Sequence, residues 1–86
     1  MNLYVSNLSL SIIESDLNKL FSAYGEVAFV VIVRDKKNGR SKGSAFVEMP
    51  LQTQGEQAIR ALNNMEIDSQ KISVHEIEYR PGEFNN

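Results

Sequence analysis

At 86 residues, with 42% apolar and 23% charged side chains, the chain has room for one small domain with a thin core. The absence of cysteine excludes a disulfide scaffold and a thiolate metal site, a single histidine is too few for a zinc cluster, and no apolar run reaches the ~18–20 residues of a membrane span. The formal net charge of −2 argues against coating nucleic acid by bulk charge, yet residues 34–42 carry +4 and the remainder −6, which points to one directed anionic partner. The N-terminus lacks a basic n-region and a cleavage site, so a cytoplasmic setting is expected, with no cofactor and no metal.

Residues 3–8 predict a short strand with Leu3 and Val5 on one face and Tyr4 and Ser6 on the other. Ser11 and Glu14 have capping-box spacing, and Ile13, Leu17, Leu20, Phe21 and Tyr24 recur at a helical period that Gly25 ends. Residues 27–33 are β-branched and aromatic, a second strand with Val30 and Ile32 inward and Val31 and Val33 outward. Residues 35–41 form a basic turn around Asn38-Gly39. Residues 44–49 predict a third strand with Ala45, Val47 and Met49 inward and Ser44, Phe46 and Glu48 outward, ended by Pro50.

A second helix over residues 53–62 turns Ala58, Ile59 and Leu62 inward and stops at Asn63-Asn64. Residues 65–70 are a tight connection, and residues 72–77 a fourth strand with Ile72 and Val74 inward and Ser73 and His75 outward. Residues 1–79 are expected to form one free-standing domain and residues 80–86 a flexible tail, from which Tyr79 and Phe84 at its border could fold back over the sheet. The order β-α-β-β-α-β predicts an α+β, ferredoxin-like fold: a four-stranded antiparallel sheet with both helices on one face. Its middle strands are the first and third, so Tyr4 and Phe46 become neighbours on the open face.

Two rings side by side on an open sheet make a sticky patch. A nucleobase suits them, because every base has a flat π-face. At these residues the chain resembles the RNA-recognition motif family, in its small single-domain bacterial form. Lys42-Gly43-Ser44-Ala45-Phe46-Val47-Glu48-Met49 fits the family's octamer at five constrained positions. Residues 3–8 look like the companion hexamer, and the likeness extends over Asp16-Leu17, Leu20-Phe21, Gly25, Ala58-Ile59 and Leu62-Asn63.

The resemblance implies a monomeric, non-enzymatic binder of single-stranded RNA, with single-stranded DNA as a further ligand class. Tyr4 and Phe46 would each stack one base, Lys42 would meet a phosphate, and Lys36, Lys37 and Arg40 would clamp the backbone. Backbone groups near residues 76–78 would read base edges. Ser44 replaces a third aromatic that packs on sugars, Met49 replaces the octamer's last aromatic, Val31 stands where relatives often carry a basic residue, and Ile13 stands where they often carry a capping one.

Ser6, Ser73 and His75 are outward and within reach of bases, or are plain exposed strand residues. Asn7 contacts a base or ends its strand. Arg34 pairs with Asp35 or Glu48, or with phosphate. The candidate RNA contacts are therefore Tyr4, Phe46, Lys42, Lys36, Lys37, Arg40, Ser44, Ser6 and His75. No nucleophile–base set, phosphate-cradling glycine loop or metal-spaced cluster supports catalysis. The alternative is a protein-binding module that uses the apolar Val31 and Val33.

Overall fold

Strict alternation is what builds the sheet. Leu3 and Val5 bury one side of the first strand, Ala45 and Val47 one side of the third, and Ile72 and Val74 the inward side of the last segment. A computed structural model describes residues 1–78. The elements are β1 (Asn2–Ser6), α1 (Glu14–Ser22), β2 (Phe29–Arg34), β3 (Ser41–Glu48), α2 (Gln52–Leu62), β4 (Glu66–Ile67), β5 (Gln70–Lys71) and β6 (Ser73–Ile77). The main sheet is antiparallel in the order β2-β3-β1-β6. Its central pair is β1 and β3, as the element order predicts, and the ferredoxin-like α+β fold is the one observed.

One face of this sheet carries the core. Phe21 and Leu17 from α1 and Ala58 and Leu62 from α2 pack with Leu3, Val5, Ile32, Ala45, Val47, Met49, Ile72 and Val74, all between 0% and 3% exposed. Val30 is half-buried against the same cluster. Met49 lies inside it at 0% exposure, so the change from an aromatic there is a matter of packing.

Four local expectations need correction. Residues 65–70 are not a plain connection: β4 and β5 pair as a small separate hairpin. Asp68 and Ser69 sit at φ 52° and 65°, the positive values that a two-residue primed turn needs at both central positions. The predicted fourth strand is therefore β6, the sixth in chain order. The helix start differs as well. The N-cap of α1 is Ile13, whose N–H donates to the Asp16 carboxylate at 3.0 Å. Ser11 instead donates to Asp68 at 3.2 Å, and Glu14 turns to β2, so no capping box forms between them. Ile13 is 49% exposed, and Ile12 packs on the core in its place.

Finally, β1 stops at Ser6 because Asn7 takes φ 60°. The Asn7 side chain donates to the Lys71 carbonyl, and Gln70 donates to the Asn7 carbonyl, tying the hairpin to the loop after β1. Residues 79–86, with the expected tail, Tyr79 and Phe84, lie outside the described residues.

Candidate nucleic-acid interface

The open face follows from register. Val31 of β2 is opposite Phe46 of β3, Phe46 is opposite Tyr4 of β1, and Tyr4 is opposite His75 of β6. These four side chains form one row across the whole sheet. The Tyr4 and Phe46 ring centroids are 5.4 Å apart and tilted by 50°, and His75 meets the Tyr4 ring edge-on at 5.6 Å. Tyr4 and Phe46 are half-buried, His75 is exposed and Val31 is 45% exposed. Burial would normally draw such rings inward, and here the helices occupy the other face.

A second row lies beside the first. It runs Phe29, Glu48, Asn2, Ile77 from β2 to β6. Phe29 is 37% exposed, and the sequence reading missed it as a face residue. One step of two residues back from Val31 finds it. On the opposite flank are the hydroxyls of Ser44, Ser6 and Ser73, all half-buried, with Ser6 and Ser73 in register.

The basic turn adjoins that hydroxyl flank. Asp35 organises it: its carboxylate accepts from the Lys37 and Asn38 N–H groups at 2.8 and 3.2 Å, and its carbonyl accepts from Gly39 N–H at 2.8 Å. Those two N–H groups, helped by the Lys42 charge, hold the Asp35 carboxyl below its ordinary value. Gly39 closes the turn at φ 71°. The side chains of Lys36, Lys37 and Arg40 project exposed from this frame.

Lys42 is exposed near the start of β3. Between Ile32 and Arg34 the pairing shifts, so that two steps along β2 match four along β3. Gly43 sits in the excess at φ 79°, where an added Cβ would lie 3.0 Å from the Leu8 carbonyl oxygen. The structure thus brings Tyr4, Phe46, Ser6, Ser44 and His75 onto one face and gathers Lys36, Lys37, Arg40 and Lys42 at one end of it.

Arg34 belongs to neither group. It pairs with Glu14 of α1 at 2.9 Å and donates to the Gly39 carbonyl at 3.3 Å. Of the partners expected for it, neither Asp35 nor Glu48 is the one it takes.

The aligned rows, the octamer's five matching positions and the fold describe one architecture, and comparison decides its name. The RNA recognition motif family matches residues 3–73. The chain belongs to the RNA recognition motif family. It is 40% identical over 80 residues to the putative RNA-binding protein RbpD of Nostoc sp., covering 93% of this chain and 85% of that protein. The solved RNA binding protein PG1 superposes with a TM-score of 0.91 at 38% identity, covering 94% of this chain and 98% of that one. A solved sex-lethal protein/RNA complex gives 0.82 at 41% identity over 86% of this chain and 46% of that one. The domain spans 45% and 25% of the lengths of two other relatives it matches. Among its described residues no helix is long and apolar enough to cross a membrane.

Proposed function

We propose that the domain binds single-stranded RNA across the open face of its sheet, with bases on Tyr4 and Phe46 and phosphates at the basic turn. The observation that carries this reading is the pair of neighbouring rings on the two central strands, 5.4 Å apart and tilted by 50°. A flat base lying on one ring is far from parallel to the other, so each ring takes its own base. Stacking contributes about 1–3 kcal/mol per base, hence about 2–6 kcal/mol for two. Micromolar binding needs about 8 kcal/mol. Phosphate contacts from the exposed Lys36, Lys37, Arg40 and Lys42 supply the remainder. The hydroxyls of Ser6 and Ser44 and the His75 ring offer hydrogen bonds to bases and sugars along the edges of the stack. Family membership and the RNA in the sex-lethal complex support the same assignment.

The test is an NMR titration of isotope-labelled protein with a pool of short RNAs. Amide shifts concentrated in β1, β3 and the turn over residues 36–40 are expected; shifts concentrated in α1 and α2 would refute the assignment. The exposed Phe29 and Val31 favour a second reading, in which the same face binds a protein. Salt separates the two. RNA held through three or four phosphates gives a log–log slope of about −2 to −3, whereas an apolar protein interface gives a slope near zero.

A further inference from the structure

We infer that Glu48 is a base-reading residue that selects guanine beside the Phe46 stack. This rests on the open face binding RNA. Glu48 is the last residue of β3, two positions after Phe46 and on the same face. Among the described residues it is the one acidic side chain of that face. Its register partners are Phe29 and Asn2, and neither carries a charge. Arg34 is held by Glu14 at 2.9 Å and sits at the far end of the β2-β3 pair, opposite Ser41. Glu48 is half-buried, and its carboxylate forms no hydrogen bond or ion pair among the described residues.

A carboxylate in that position repels phosphate, so its favourable contacts with RNA are with groups that donate: the ribose 2′-OH, which every nucleotide carries and which cannot discriminate, and the donor edge of a base, which can. An ionised carboxylate accepts through two oxygens and donates nothing. Guanine is the base that presents two adjacent donors, N1–H and the N2 amino group, spaced to meet both oxygens. Adenine and cytosine set an acceptor nitrogen beside their amino group, and uracil flanks its N3–H with two carbonyls, so each turns a lone pair toward the carboxylate. Phe29, 37% exposed opposite Glu48, gives the base an apolar neighbour. β3 therefore carries a cation, Lys42, near one end and an anion at the other, about 20 Å apart at the rise of a strand. Phosphates track toward the first and base edges toward the second.

The experiment uses the 86-residue chain and fluorescein-labelled uridine heptamers with G, inosine, A, C or U at the central position, read by anisotropy. The wild type is expected to bind the G heptamer at least fivefold more tightly than the A, C and U forms. Inosine, which keeps N1–H and lacks the N2 amino group, should fall between. Glu48→Ala and Glu48→Gln should erase the preference for G while holding affinity for the all-uridine heptamer within threefold. The inference is overturned if the wild type shows no preference for G, or if Glu48→Ala keeps it. Tyr4→Ala with Phe46→Ala separates the two levels. If it weakens every heptamer while G confers no advantage on the wild type, the guanine assignment alone fails; if it weakens none, the stacking reading fails and takes this inference with it.

Discussion

The two faces of the four-stranded sheet come from the same strands and the same hydrogen-bond ladder, and they are finished differently. On the helix side, Leu3, Val5, Ala45, Val47 and Val74 are 0–1% exposed and mesh with Phe21 and Leu62. On the other side, the very next residues along the strands are Tyr4, Ser6, Ser44, Phe46, Ser73 and His75, all half-buried or exposed. The core face and the proposed recognition face are therefore separated by the pleat of a single strand. A strand side chain's burial depends on the parity of its position rather than on how apolar it is: Val47 is 1% exposed and Val31 45%.

The largest test of that division is in the core. Phe21→Ala should cost about 3–5 kcal/mol of stability, because a fully buried ring leaves a cavity that the neighbours fill only in part. In a domain of this size that consumes much of the folding free energy. Urea unfolding followed by circular dichroism measures it, and a loss under about 1 kcal/mol would show that the ring is not the centre of the core. Tyr4→Ala with Phe46→Ala is the mirror experiment. Affinity for short single-stranded RNA should fall at least tenfold, while the fold should survive, losing the ~0.5–1.5 kcal/mol of one aromatic pair together with the apolar area that two half-buried rings cover. Unchanged RNA binding in a folded double variant would end the stacking assignment.

How far the sequence foretold this division depends on the range of the interaction involved. Period-two alternation is local, and it is enough to place Tyr4 beside Phe46 and to turn Ala45, Val47 and Val74 inward. The same rule, carried two residues further, would have added Phe29. The β4–β5 hairpin was illegible because strands of two residues have no period to detect. Its anchors, Asn7 and Ser11, are more than fifty residues away along the chain. The capping box failed for the same reason. Ser11 and Glu14 have the right spacing, but tertiary partners, Asp68 for one and Arg34 with Ile32 for the other, outcompeted the local bond. At the candidate site, the rings and the basic turn were readable from types and spacing. The engagement of Arg34 by Glu14 was not, because the two residues are 20 apart along the chain.

The charged end of the proposed recognition face gives a smaller effect. Lys36→Ala with Lys37→Ala removes two exposed cations from a turn whose backbone is held independently by Asp35. The fold should be untouched, and the slope of log affinity against log salt should become shallower by up to about 1.4, at about 0.7 per lost phosphate contact. An unaltered slope would place the phosphates elsewhere and leave the rings as the whole of the site.

The smallest expected effect lies where the edge of the sheet meets the helix layer. Glu14 receives its own backbone N–H at the start of α1, the Ile32 N–H at 3.3 Å and the Arg34 guanidinium at 2.9 Å. Together these favour the ionised form and, against the opposing pull of partial burial, hold its carboxyl below the ordinary 4.5. A carboxyl whose folded value is depressed adds stability that is present above its unfolded value and is lost as pH falls through the folded one. The Glu14 contribution is therefore complete at neutral pH and disappears below about pH 4.5. Both partners are 40% exposed, so solvent screening limits the gain to under about 1 kcal/mol. Asp35 titrates in the same direction, and comparison with Glu14→Gln removes its share. Urea midpoints of wild type and Glu14→Gln should differ at pH 7 and converge toward pH 3. Parallel curves across that range would mean that the contact fixes the position of Arg34 without stabilising the fold.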